Sequence, residues 1–204
     1  MRGSMDRRSL TLAGASLLGL LTVAGQAQAQ NAPTPLHQPR GTAVDVSNTE
    51  ILAAVAKATA TSQPFSNQTL RMVNVNDEYN LGVSVLYRAK ADAATLEAPL
   101  EHSQITEVYY MISGNGTFVT GGTLENEREV NGPAIGPSST GGKIIGGQSR
   151  TIGPGDVVVI PPNTPHQFSE VASDRIVYLL IRVDPHKVLA LTPAQAGSGQ
   201  SGGR

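Results

Sequence analysis

Four histidines are available for chemistry in this 204-residue chain: His37, His102, His166 and His186. His37 stands in a proline-rich lead-in and His186 near the end, whereas His102 and His166 fall where apolar residues recur with a period of two. Glu107 follows His102 closely. Imidazole nitrogens and carboxylate oxygens are the ligand types of Fe(II), Mn(II) and Zn(II) sites, so these side chains suit metal chemistry if strands turn them toward one another. The chain has no cysteine, which removes thiolate ligands, cysteine nucleophiles and disulfides together. Neither His102 nor His166 has an evident serine partner, so no nucleophile–base pair is visible and no catalytic residue is assigned.

Strand alternation predicts which side chains share a face. With His102 inward, Leu100 and Gln104 point the same way. After a turn, Glu107, Tyr109 and Met111 form one face, and His166, Phe168 and Glu170 form another. Glu101 points away. Tyr109 and Met111, taken alone, read as core packing. An unpaired Glu107 on an apolar face would be costly to bury, so a cation or the two imidazoles are expected beside it.

The elements that must hold these residues are short strands. The 22 glycines and 13 prolines point to many turns, and with 5 Tyr, 3 Phe and no Trp the core must be mostly Val, Ile and Leu. Leu81, Val83, Val85 and Tyr87 alternate with Gly82, Ser84, Leu86 and Arg88, as in a half-buried strand. Further runs lie at 108–112, 117–120, 157–160 and 176–183. The turn signals Gly114-Asn115-Gly116, Gly121-Gly122, Gly153-Pro154-Gly155 and Pro161-Pro162-Asn163 separate them. Such spacing predicts an antiparallel sandwich or barrel. Ser47-Asn48-Thr49-Glu50 fits a capping box, and Ile51, Leu52, Val55 and Ala58 follow at helical spacing, so one short helix is predicted within 48–64. Residues 121–149, rich in Gly, Ser and Pro, are expected to form a long loop with a small hairpin at Lys143-Ile144-Ile145. Their alternating Glu125, Glu127 and Glu129 read as a solvated edge, without the residue order of a calcium loop.

The ends read differently. Arg7-Arg8, an apolar run from Leu10 to Gly25, and Gln26-Ala27-Gln28-Ala29 follow the order of a secretory signal peptide over residues 1–29, with cleavage after Ala29 or Ala27. The apolar run is short of the ~20 residues of a spanning helix, so no membrane segment is expected in the mature form. Arg7-Arg8 also leaves twin-arginine export open beside the general route. Residues 30–47 read as a linker and 191–204 as a low-complexity, disordered tail. A net charge of −1 argues against nucleic-acid binding by bulk charge.

Two stretches resemble the paired motifs of the cupin superfamily. The first family motif is G-x5-H-x-H-x(3,4)-E-x6-G. Here His102 takes its second histidine, Glu107 its glutamate and Gly114 its closing glycine. The second is G-x5-P-x-G-x2-H-x3-N, matched by Gly155, Pro161 and His166. Leu100 stands at the first histidine, Asn163 at the internal glycine and Glu170 at the last asparagine; Ala94 or Thr95 lies near the missing leading glycine. Asn163 is the mildest departure, since Asn tolerates the left-handed backbone.

The resemblance implies an all-β fold: an antiparallel double-stranded β-helix, or jelly-roll, barrel over 65–190 with a short N-terminal helix. It implies a metal site reduced to His102, Glu107 and His166, with Leu100, Gln104, Tyr109, Met111, Phe168 and Glu170 as pocket neighbours. Two imidazoles and one carboxylate make a facial triad for Fe, Mn or Zn with open positions. The function it suggests is an exported, metal-dependent protein binding or acting on a small oxygen-rich molecule, of dioxygenase, isomerase or decarboxylase type if an enzyme. The alternatives are a non-catalytic small-molecule-binding, metal-sensing or storage module, or a structural unit with a vestigial, metal-free pocket. An open barrel leaves sheet edges, and the alternate face Val108/Tyr110/Ile112 can cover one, consistent with a homodimer.

Overall fold

In the computed structural model, which describes residues 36–37, 43–60, 63–92 and 96–190, the capping box at Ser47 starts helix α1 (Asn48–Thr59). Ser47 Oγ accepts from the Glu50 amide at 3.2 Å, and Glu50 Oε2 accepts from the Ser47 amide at 3.0 Å. Such a cap contributes about 1 kcal/mol. The helix ends at Thr59, short of Pro64. The predicted signal peptide, its cleavage sites, the tail at 191–204, and Ala94 and Thr95 lie outside the described residues.

The remaining elements are strands: β1 (Leu36–His37), β2 (Phe65–Val75), β3 (Tyr79–Ala91), β4 (Leu100–His102), β5 (Thr106–Ser113), β6 (Gly116–Thr120), β7 (Thr123–Leu124), β8 (Arg128–Gly132), β9 (Gly136–Thr140), β10 (Ile144–Ile145), β11 (Gln148–Ile152), β12 (Val157–Ile160) and β13 (His166–Asp184). Apart from β1, which runs parallel to β2, every pairing is antiparallel. One layer runs β2-β3-β13-β5-β12. The other runs β8-β9-β4-β13-β6-β11. The 19-residue β13 belongs to both. Its first part, from His166, lies between β4 and β6; its last part, to Asp184, lies between β3 and β5. Register shifts at Phe168/Glu170 and Val171/Arg175 mark where it passes from one layer to the other. This is the jelly-roll barrel expected from the resemblance.

The two layers meet in a core of Leu86, Tyr109, Met111, Phe118, Ile152, Val158, Ile160, Phe168, Val171, Ile176, Tyr178 and Leu180. Period-two alternation puts Leu86 inward, while Val85 and Tyr87 face out toward α1. There, with Val177, Leu179 and Ile112, they pack against Ile51, Ala54 and Val55. Between β5 and β6 the chain reverses at Gly114-Asn115. Gly114 has φ +79°, and a Cβ there would stand 1.8 Å from the Arg175 carbonyl oxygen, so only glycine fits.

Residues 121–149 are not a loop. They form β7 to β10 and the start of β11, with β8 and β9 joined as a hairpin and β9 paired along β4. Glycine, serine and proline are poor strand formers in isolation, yet pairing with an existing edge overrides that preference. The expected small hairpin at 143–145 is instead β10, which pairs β7 at Ile144↔Leu124.

Candidate metal centre

His102, Glu107 and His166 come together from three strands and both layers. His102 ends β4, His166 opens β13 beside it with Leu100 as its cross-strand partner, and Glu107 reaches in from β5. One ligand atom from each lies within 4.8 Å of the others, and all three residues are buried. His102 Nε2 is 3.1 Å from Glu107 Oε1, and His166 Nε2 is 3.4 Å from Glu107 Oε2. Ligand atoms sharing one ion through bonds of about 2.1 Å also stand roughly 3 Å apart.

The backbone fixes which nitrogen of each ring faces the carboxylate. His102 Nδ1 is 2.9 Å from the Ile135 carbonyl oxygen and 2.9 Å from Ser138 Oγ. His166 Nδ1 is 3.0 Å from the Thr164 carbonyl oxygen. A carbonyl only accepts, so each Nδ1 carries the hydrogen, and in the neutral ring Nε2 is a bare lone pair. Both Nε2 atoms lie within 3.4 Å of a Glu107 oxygen. His102 Nε2 is buried and has no hydrogen-bond partner among the described residues. Two lone pairs facing a carboxylate repel it unless the rings are protonated or a cation stands between them. The donor set therefore fits a divalent ion, with the carbonyls holding the rings as metal-bound imidazoles are usually held.

Besides the two imidazoles expected beside it, the carboxylate has two further partners. Arg182 Nε donates to Glu107 Oε1 at 2.7 Å, and the Tyr109 hydroxyl donates to Oε2 at 2.9 Å. Burial pushes the Glu107 carboxyl up, but the Arg182 charge beside it pulls the other way and the group stays well below the usual range. Burial, and then Glu107 beside it, push the Tyr109 phenol well up, so it stays a donor. A carboxylate has about four acceptor positions, and these two donors take one on each oxygen, leaving room for a metal. Arg182 also donates from Nη1 to the Ala134 carbonyl at 2.7 Å. The β8–β9 hairpin tip thus holds both Arg182, through Ala134, and His102, through Ile135.

The cluster lies in a cavity of about 340 Å³. Of the expected neighbours, Leu100, Tyr109 and Phe168 line it. Met111 is fully buried in the core but does not reach the cavity. Gln104 is not in it either, because β4 ends at His102 and the chain bends, so that Ile105 is the buried residue. Glu170 points out and accepts from Thr117 Oγ1 at 3.1 Å. The bulge at Phe168/Glu170 reverses the alternation, so the predicted face His166/Phe168/Glu170 holds only for its first two members. Asn163 has φ +57°, the left-handed backbone expected of it.

Three contributions escaped the sequence reading. Arg182 shares the inward parity of Tyr178 and Leu180 on β13, a signal that was present. Arg88 is in phase with inward Leu86. The Ala134 and Ile135 carbonyls are backbone atoms and have no sequence signal.

Residues 144–202 match a family model described as the AraC-like ligand binding domain. No curated protein sequence matches the chain. Among solved structures, BH2720 from Bacillus halodurans is similar at 13% identity, covering 75% of this chain and 90% of that one, with a TM-score of 0.45. The DMSP lyase DddQ from Ruegeria pomeroyi DSS-3 is similar at 16% identity over 73% of this chain and 68% of that one, with a TM-score of 0.44. An uncharacterized conserved protein with a double-stranded beta-helix domain from Klebsiella pneumoniae shows 13% identity over 65% and 86%, with a TM-score of 0.41. These likenesses concern the path of the backbone, and no residue role follows from them.

Proposed function

We propose that this chain, whose fold is that of the cupin superfamily, is an exported protein that holds a divalent metal ion through His102, Glu107 and His166 and binds a small oxygen-rich molecule in the cavity beside it. The observation that carries this reading is the pair of Nε2 atoms, each on a ring fixed by a carbonyl at Nδ1 and both within 3.4 Å of one buried carboxylate. Such an ion, when bound, would supply a Lewis acid or, if iron, a site for dioxygen. The chain's own residues orient the two rings through carbonyls at Nδ1, hold Glu107 ionised through Arg182 and Tyr109, and wall the cavity with Phe118 and Phe168. Iron, manganese and zinc all suit two imidazoles and a carboxylate. Export rests on the order of basic, apolar and small residues over 1–29, and places the mature protein in the periplasm or outside the cell.

The test is elemental analysis of protein purified without added metal. Near-stoichiometric metal in the wild type, lost in His102→Ala, is expected. Trace metal unchanged by that substitution would end the metal reading.

A second reading is favoured by Arg182. A resident guanidinium already neutralises Glu107, so the same cavity could serve a non-catalytic, metal-free small-molecule-binding protein. The match to a ligand-binding family supports the small-molecule part of both readings. Exposed Tyr110, Val157 and Val159 on the β5–β12 pair support a homodimer, with β12 as the edge strand that a second copy covers.

A further inference from the structure

Two arginines line the cavity, and their partners differ in kind. Arg182 is bound to Glu107, whose side chain is 1% exposed. Arg88 pairs instead with Glu97, whose side chain is 50% exposed. Glu97 sits on the irregular segment between β3 and β4, not on a strand. Arg88 itself is 18% exposed and well anchored: its Nε donates to the Tyr178 hydroxyl at 3.2 Å, and its guanidinium lies 4.8 Å from the Phe65 ring centroid and 5.7 Å from that of Phe168.

A half-exposed carboxylate is readily released from an ion pair, because water solvates it almost as well. The guanidinium, by contrast, stays fixed and charged among rings when its partner leaves. Arg88 is therefore a preformed anion site whose internal occupant is exchangeable, whereas Arg182 is not. Around it the cavity wall is apolar: Phe65, Leu86, Leu96, Phe118 and Phe168. A cavity of about 340 Å³ is at the small end of ligand sites.

We infer that the cavity takes a small carboxylate with an apolar or aromatic body, whose carboxylate replaces that of Glu97 on Arg88 while its body lies against Phe65 and Phe168. This rests on reading the cavity as a small-molecule site, and is independent of the metal.

The experiment is calorimetric titration of chelator-treated full-length protein with benzoate and butyrate, and with benzyl alcohol as the uncharged control. Wild type binds at least one carboxylate and not the alcohol. Glu97→Gln, at a half-exposed position that threatens no fold, binds that carboxylate at least fivefold more tightly, because the competitor is gone. Arg88→Gln binds it at least tenfold more weakly. Carboxylate affinity that Glu97→Gln fails to raise, or absence of binding in both wild type and Glu97→Gln, overturns the inference even if Arg88→Gln does not fold. His102→Ala, which abolishes the metal site, leaves the Glu97→Gln gain intact. Failure of the metal reading and failure of this one are thereby separate results.

Discussion

Arg182 and Glu107 are direct cross-strand partners on β13 and β5, with Nε 2.7 Å from Oε1 in the barrel interior. Directly opposed residues of an antiparallel pair share a face, so register alone brings the guanidinium to the carboxylate that the two imidazoles also face. The site therefore has its own counter-charge. A divalent ion entering it shares Glu107 with a cation already there, and that repulsion weakens metal binding.

Arg182→Met removes the resident cation. Apparent zinc affinity is expected to rise by tenfold or more. The metal-free variant loses about 3–5 kcal/mol, the cost of leaving a buried charge without its partner. Calorimetric scans with and without zinc read both: a lowered Tm without metal, and a larger zinc-induced rise than in wild type. A zinc response equal to that of wild type contradicts the prediction.

Leu100→His adds a third imidazole. Leu100 lines the cavity and is the cross-strand partner of His166, so the new ring stands beside the existing two. Metal binding, read by competition with a coloured chelator, tightens by an order of magnitude. A folded variant with unchanged affinity would show that position 100 does not present its side chain to the ion.

Stability should depend on pH through Glu107. Its carboxyl is held below the ordinary range in the folded protein, so the native state favours the ionised form. That stabilisation is complete above the unfolded value of about 4.3 and is lost as pH falls toward the folded value. In urea unfolding at pH 7, Glu107→Gln is expected to be less stable than wild type by about 3–5 kcal/mol. Below pH 4 the gap narrows. A gap independent of pH would mean that the charge of Glu107 contributes nothing to folding.

Val159→Glu places a charge on the outer face of β12, where Val157 and Val159 are each 61% exposed and Tyr110 45%. If a second copy covers this face, sedimentation shows wild-type dimer and variant monomer at the same concentration, with the β-rich circular dichroism spectrum retained. A monomeric wild type rules the interface out.

The three candidate ligands were legible because the motif resemblance marks their positions and a local rule agrees with each. Alternation faces His102 and His166 inward, a bend resets it for Glu107, and fixed turn residues delimit the strands around them. Glu170 was misplaced because a bulge leaves no trace in residue type. Gln104 was misplaced because β4 stops two residues earlier. Arg182 needed the β13–β5 register, a nonlocal fact, although its parity with buried Leu180 hinted at an inward side chain. The β8–β9 hairpin was hidden by its composition: Gly, Ser and Pro say loop, and only the free edge of β4 makes a strand of 136–140.

His166 and Arg182, both held at Glu107, lie at opposite ends of the same strand. Extended at about 3.3 Å per residue, the chain between them would hold them some 50 Å apart. They meet at one carboxylate only because β13 folds back on itself, with its corner at 172–174 against the Asn115 carbonyl oxygen. The corner acts as a vernier for the site at the far end of the barrel: removing one residue at 172–174, none of which lines the cavity, would slide one arm against the other and put His166 and Arg182 out of phase.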